Sequence, residues 1–212
     1  MGKANEKAYE IEMKLQLLDG DALNKVAEFL AESENASYEG EIKMRAIYFD
    51  TKDRLLGREK IAYRIRREGE SLMATLKGRG SAEGGLHKRI ECNVKITSEA
   101  PNLAVFKNTE GEALLEKIGA AELLELVRTD FSRSLYIWKE NDLTAEIALD
   151  KGTVSGGGKS APILEMELEL KEGSEEKLKA AADFFCARFA MEKNDTSKFL
   201  RGLHLINEKF TE

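Results

Sequence analysis

Strict alternation of charge with hydrocarbon is the feature that most limits what this chain can become. It begins at Tyr9-Glu-Ile-Glu-Met-Lys-Leu-Gln-Leu17. Glu10, Glu12, Lys14 and Gln16 fall on one side of an extended strand, and Tyr9, Ile11, Met13, Leu15 and Leu17 on the other. One such strand on a protein surface would put its apolar side on the core and its charges in water. The outcome depends on whether other strands repeat the pattern and on what their charged faces meet.

They do repeat it. Ile61–Arg67 places Arg64 and Arg66 opposite Tyr63 and Ile65, and Leu72–Lys77 places Thr75 and Lys77 opposite Leu72, Ala74 and Leu76. His87–Val94 sets Arg89, Glu91 and Asn93 against Ile90, Cys92 and Val94. Leu143–Asp150 sets Glu146 and Asp150 against Ala145, Ile147 and Leu149. Ile163–Leu170 sets Glu165, Glu167 and Glu169 against Leu164, Met166, Leu168 and Leu170. Lys43–Asp50 and Thr129–Trp138 are less cleanly patterned and bring the set to about eight strands. Glycine stretches at 78–85 and 156–158 read as loops between strands.

Helical spacing separates these segments. Asp21–Glu34 carries Leu23, Val26, Ala27 and Leu30, and Glu110–Val127 is rich in Leu, Ala and Glu, with Gly119 as a point of division. Ser174 is placed to cap a helix to about Met191, and Thr196 or Ser197 one to about Lys209. The expected class is α+β, with a mainly antiparallel sheet. With 212 residues the chain suits one domain over residues 1–212. It has no run of apolar residues long enough to span a bilayer. Its first residues are polar, and its two cysteines, Cys92 and Cys186, are far apart. These features favour a cytoplasmic protein. A net charge of −6 argues against nucleic acid as a partner.

The signs of the charges segregate by strand. Arg64 shares a face with Arg66, and Glu165 with Glu167 and Glu169. Like charges two residues apart lie roughly 7 Å from each other. In a confined space that repulsion calls for a counter-ion. The apolar faces need cover, which the helices supply. A closed sheet with helices outside would turn the charged faces inward. Clustered carboxylates suit hard divalent cations such as Mg²⁺ or Mn²⁺. Clustered Arg and Lys suit phosphate, Arg through its fork and Lys as a point charge.

Glu10-Ile-Glu12-Met-Lys14 resembles the ExExK signature of the CYTH domains, or triphosphate tunnel metalloenzymes. Further blocks similar to that family follow in its order: Tyr48-Phe-Asp-Thr51, Arg64-Ile-Arg66, Thr75-Leu-Lys77-Gly78, Arg89-Ile-Glu91, Glu146–Asp150, Glu165–Leu170 and Ser197–Gly202. Gly84–Val94 and Ser197–Leu205 look most like the bacterial inorganic triphosphatase branch. The resemblance implies an eight-stranded antiparallel β-barrel with a polar tunnel and outer helices. It implies metal-dependent hydrolysis of inorganic tripolyphosphate to pyrophosphate and phosphate.

By the same resemblance, Glu10, Glu12, Glu165 and Glu167 would bind the metal, with Glu146 joining them or holding the water beside it. Asp150 is a further acid there: many relatives carry it two residues after Glu146, where this chain has Ala148. Glu10, Glu12, Glu146 and Lys198 would be catalytic. Lys14, Arg64, Arg66, Lys77, Arg89 and Arg133 would grip phosphates, Lys198 and Arg201 would reach the terminal one, and Glu91 would orient the cations. An adenylyl cyclase or thiamine triphosphatase of the same family, and a non-catalytic polyphosphate-binding module, are the alternatives. The cyclase branch commonly has His-Phe before ExExK, where this chain has Lys7-Ala-Tyr9. Relatives are often joined to a CHAD domain, and none is expected in this chain; a homodimer is left open. His87 and His204 read as structural or exposed, Cys92 and Cys186 as packed thiols, and Trp138 and Tyr136 as residues beneath a helix. Gly78-Arg-Gly80 reads as a mobile hairpin tip from which Arg79 could guide an anion in, and Arg128 reads as surface.

Overall fold

The computed structural model describes residues 9–116, 118 and 121–206, with the side chains of residues 9 and 79 outside the description. Nine strands form one antiparallel sheet: β1 (Tyr9–Leu17), β2 (Ala36–Thr51), β3 (Ala62–Glu68), β4 (Ser71–Glu83), β5 (Leu86–Ile96), β6 (Leu123–Glu140), β7 (Leu143–Gly156), β8 (Lys159–Glu172) and β9 (Met191–Lys193). The order is β5-β4-β3-β2-β6-β7-β8-β1-β9. β1 closes it. Its first half pairs with β5 from Tyr9↔Ile90 to Met13↔Leu86, while its other edge pairs with β8. The result is a closed eight-stranded antiparallel barrel. β9 continues the β5 edge by pairing with Leu15–Leu17.

The helices are α1 (Gly20–Glu32), α2 (Leu55–Arg58), α3 (Glu175–Arg188) and α4 (Lys198–Leu205). Asp19 caps α1 by accepting from Ala22 N at 2.7 Å, and Ser174 and Ser197 cap α3 and α4. The apolar faces of β1, β7 and β8 (Met13, Leu15, Ile147, Met166, Leu168) lie beneath α1 and α3, which contribute Val26, Leu30, Leu178 and Phe185. Trp138 is fully buried among the rings of Phe29, Phe184 and Phe185. A second outer cluster under α2 and a 3-10 turn gathers Tyr63, Ile65, Leu76 and Phe106. Each such side chain stabilises the fold by about 1.5–3 kcal/mol. α4 differs. It lies across one end of the barrel, where Phe199 and Leu203 join Tyr48, Val127, Val154 and Ile163.

Two expectations are corrected. Glu110–Val127 is not a helix: Glu112–Leu115 is a 3-10 turn, and β6 starts at Leu123. Ladder pairing from Thr51↔Leu123 to Tyr48↔Val127 overrides the helix preference of the Leu-rich stretch. Residues 78–83 are strand rather than loop. β4 runs on to Glu83 through a bulge between Lys77 and Gly80, and only residues 84 and 85 turn. Gly80 makes this possible, because a Cβ there would lie 2.2 Å from Lys88 O. The proposed break at residue 119, the last helix beyond residue 206 and the side chain of Arg79 fall outside the described residues. Among the described residues, no helix is long and apolar enough to cross a membrane.

Candidate active site

The barrel lumen holds the charged faces. Glu10, Glu12, Lys14, Arg64, Arg66, Lys77, Arg89, Arg133, Glu167 and Lys198 line one cavity on the α4 side. Glu10, Arg66, Glu91, Arg133, Glu146 and Glu169 line its continuation toward the other end. Register explains the convergence, since cross-strand partners share a face. Lys14 stands opposite Glu167 and Gln16 opposite Glu165 across β1 and β8. Asp150 stands opposite both Glu165 and Arg133. Lys77 stands opposite Glu91.

Three carboxylates meet on the β7–β8 wall. Oxygens of Asp150, Glu165 and Glu167 lie within 4.8 Å of one another, and all three residues are buried. The ammonium of Lys198 enters this cluster. It lies 2.7 Å from Asp150 Oδ2 and 2.9 Å from Glu167 Oε1, and it also pairs with Glu165. Arg133 grips Asp150 with both arms of its fork, at 2.7 and 2.6 Å, and reaches Glu167 at 2.5 Å. Arg201 binds Glu165 and donates to Gln16 Oε1 at 3.2 Å. Lys14 bridges Glu12 (2.8 Å) and Glu167 (2.5 Å).

A second network crosses β1, β4 and β5. Lys77 Nζ lies 2.9 Å from Glu10 and 2.5 Å from Glu91, and Arg64 lies 3.5 Å from Glu91. Burial pushes the Glu10 carboxyl up to about 7, with Lys77 opposing and the negative charges of Glu12 and Glu91 reinforcing. Burial acts the same way on Glu12, Glu91 and Glu167, but their cations win. Lys14 holds Glu12 below the usual range, Lys77 and Arg64 hold Glu91 well below it, and Lys14, Lys198 and Arg133 do so for Glu167. Arg66 is pushed down to about 10 by burial and by Arg64 beside it. The Nε groups of Arg64, Arg66 and Arg201 are buried with no hydrogen-bond partner.

Glu146 stands apart from the three-carboxylate cluster. It lies with Glu169 toward the other end, where Lys171 approaches it at 3.7 Å and Glu169 at 2.8 Å. Asp150, by contrast, is fully buried at the centre of the cluster. The remaining wall is not charged. Met44 and Ala46 of β2 and Phe131 of β6 face the cavity, with Tyr48 stacked on Phe199 at 4.7 Å between ring centres. Phe131 lies under Lys198 and Arg133, at 5.1 and 5.6 Å.

Sequence reading gave no role to Gln16, Tyr48, Phe131, Asn194 or Phe199. Gln16 has the parity of Glu10, Glu12 and Lys14, which was signal enough. Tyr48 accepts from Arg64 at 3.4 Å; burial opposes ionisation of its hydroxyl, but Arg64 lowers it overall. Cys92 and Cys186 pack against outer apolar clusters, Arg128 is exposed and paired with Glu125, and His87 is fully buried.

A family model for the CYTH domain matches residues 8–203. The chain belongs to the CYTH domain family. Among other CYTH-like proteins, an inorganic triphosphatase from Haemophilus influenzae is 34% identical over 128 residues. That stretch is 60% of this chain and 36% of the relative, so this chain matches about a third of the relative's length. A putative adenylyl cyclase from Hippeastrum, described as having a dominant triphosphatase activity, superposes with a TM-score of 0.70 at 19% identity, covering 95% of this chain and 97% of that one. A putative adenylate cyclase from Bacillus halodurans superposes at 0.57 with 22% identity, covering 89% and 95%. At these identities the structures show that the CYTH tunnel fold is shared.

Proposed function

We propose that the chain hydrolyses inorganic tripolyphosphate to pyrophosphate and phosphate within the barrel lumen, with Mg²⁺ or Mn²⁺ as cofactor. Water adds across a terminal phosphoanhydride bond: P₃O₁₀⁵⁻ and H₂O give P₂O₇⁴⁻, HPO₄²⁻ and H⁺. One observation carries this reading. Arginines with buried, unpartnered Nε groups stand in one enclosed space with three carboxylates whose oxygens converge. These arginines pair with wall carboxylates yet keep buried Nε donors unused, and the converging carboxylates offer cation ligands. A metal–polyphosphate pair suits both.

The donor set fits a hard divalent ion. Asp150, Glu165 and Glu167 present oxygen alone, in the place that Lys198 now holds. Glu10 and Glu12 project from β1 into the same lumen and would complete the ligand set. When bound, the metal offsets phosphate charge and makes water a better nucleophile at neutral pH. Lys14, Lys77, Arg64, Arg66, Arg89 and Arg133 would hold the non-bridging oxygens and fix the chain in line for attack. The apolar wall of Met44, Ala46 and Phe131 offers no donor, so the grip comes from the charged walls. Phe199 and Tyr48 keep water from the α4 end. In the metal-free lumen burial pushes the Glu10 carboxyl, hydrogen-bonded to Glu91, up to about 7, so a cation taken up there would displace its proton.

The test is a substrate panel. Purified protein is assayed for phosphate and pyrophosphate release from tripolyphosphate, ATP and thiamine triphosphate, each with Mg²⁺ or Mn²⁺. Preference for tripolyphosphate supports the proposal. Preference for ATP with cyclic nucleotide formed, or for thiamine triphosphate, would assign the lumen to another triphosphate. Binding without release would make it a polyphosphate-binding module.

A further inference from the structure

His87 is completely buried on β5, on the same face as Arg89, two residues from a phosphate-gripping arginine of the proposed site. Its two ring nitrogens meet different partners. Nε2 lies 3.0 Å from the carbonyl oxygen of Asn194, and Nδ1 lies 2.7 Å from an Nη2 of Arg89. A carbonyl oxygen only accepts, and a guanidinium nitrogen only donates. The two contacts are therefore satisfied together by one form of the ring, neutral with its hydrogen on Nε2. Any other form sets donor against donor at Arg89 or acceptor against acceptor at Asn194.

Asn194 belongs to a short strap between β9 and α4. The strap is fastened on several sides. Asn194 N donates to Lys14 O at 2.9 Å, and Thr196 N donates to Asn194 Oδ1 at 2.8 Å. Asp195 accepts from Gly85 N at 2.6 Å, at the turn that starts β5. Ser197 then caps α4, whose first residue is Lys198. One nitrogen of His87 is thus tied to the strap that delivers Lys198. The other is tied to a guanidinium that stands opposite Glu10 across β1 and β5 and lines the cavity.

We infer that His87 is a positioning residue: locked as its Nε2–H tautomer by Asn194, it uses Nδ1 to aim the guanidinium of Arg89 into the lumen, and so couples that arginine to the strap carrying Lys198. The inference rests on the proposed activity only in taking Arg89 as a substrate-binding group. The hydrogen-bond arrangement itself stands on the geometry.

The chain contains two histidines, so nitrogen NMR of protein with ¹⁵N-labelled histidine resolves the ring of His87 from that of His204. Expected in the resting protein at neutral pH is a proton on Nε2 and a bare Nδ1 carrying the shift of a hydrogen-bond acceptor. In Arg89→Gln that Nδ1 shift moves toward the free value while the tautomer stays. Kinetics supply the second arm. His87→Leu should raise the KM for tripolyphosphate about tenfold or more with a smaller change in kcat. His87→Asn, whose amide oxygen can stand at the Nδ1 position, should recover most of the loss. The double variant His87→Leu/Arg89→Gln should be no worse than Arg89→Gln alone. A proton on Nδ1 in the wild-type protein, an Nδ1 shift indifferent to Arg89→Gln, additive losses, or a folded Leu variant with wild-type KM would each overturn the inference. If His87→Leu does not fold, the NMR comparison still decides. If the wild-type protein releases no phosphate from tripolyphosphate, the proposed activity fails, and the NMR arm still decides whether His87 holds Arg89.

Discussion

The ammonium of Lys198 lies 2.7 Å from Asp150 Oδ2, inside a cluster whose carboxylates also include Glu165 and Glu167. A lysine on the helix across the barrel end thus occupies the position that suits a divalent ion. Removing its charge while keeping its bulk, in Lys198→Met, leaves the buried carboxylates undercompensated. Loss of one partner from a buried ionic group costs about 3–5 kcal/mol. The metal-free variant should therefore melt well below wild type, and Mn²⁺ should raise its Tm more than it raises that of wild type. Equal metal-induced shifts in the two proteins would show that the cluster does not hold the ion.

Glu10 gives a pH dependence with a definite sign. Its folded value, about 7, lies above the 4.5 of an unperturbed glutamate. Its contribution to stability is full below 4.5 and is lost as pH rises through about 7. The loss is on the order of 3 kcal/mol. His87, lowered by burial, acts in the opposite sense near its own range, so the comparison must be with Glu10→Gln. In metal-free denaturant titrations, the stability of wild type minus that of Glu10→Gln should fall as pH rises from 4.5 to 7. A flat difference would remove the buried proton from Glu10.

Gly202 lets α4 approach β6. A Cβ at this position would lie 2.2 Å from Val127 Cγ1, a stiff β-branched side chain. Gly202→Ala should shift the helix, loosen the Lys198 and Arg201 contacts with Glu165, and cost about 1–3 kcal/mol. Turnover should fall further than stability alone explains. A variant with lowered Tm but wild-type kcat and KM would show that the seating of α4 is irrelevant to the lumen.

Phe185 separates the outer core from the chemistry. It is fully buried between α3 and the barrel wall, edge-on to Trp138 at 5.5 Å. Phe185→Ala should cost about 3–5 kcal/mol. At a temperature where the variant remains folded, its KM should match wild type, because the side chain faces away from the lumen.

Alternation made the charged strands legible, and with them the closed sheet and most of the charged lining of its lumen. Glu10, Glu12, Lys14, Arg64, Lys77, Arg89 and Glu167 reach the lumen on the side that parity assigned. β2 and β6 were faint for a physical reason. Met44, Ala46, Tyr48 and Phe131 face inward while Ile47, Phe49 and Trp138 are buried or half-buried on the outer face, so both sides of these strands carry hydrocarbon and the period of two fades. The Leu-rich stretch before β6 misled because short apolar runs fit helix and strand equally well until pairing decides. His87 and Arg89 share a face of β5 by simple alternation, but the tie from His87 to Asn194 joins residues far apart in sequence and left no trace in any local pattern.

The inward-facing glutamates are tested most directly by turnover in Glu12→Gln, with folding verified by an unchanged circular dichroism spectrum. Glu12 is 4% exposed and is held ionised by Lys14. Expected is a fall in tripolyphosphate hydrolysis of about 10²-fold or more with Mg²⁺ or Mn²⁺. Wild-type rates in the folded variant would contradict the assignment of the tunnel as the catalytic site.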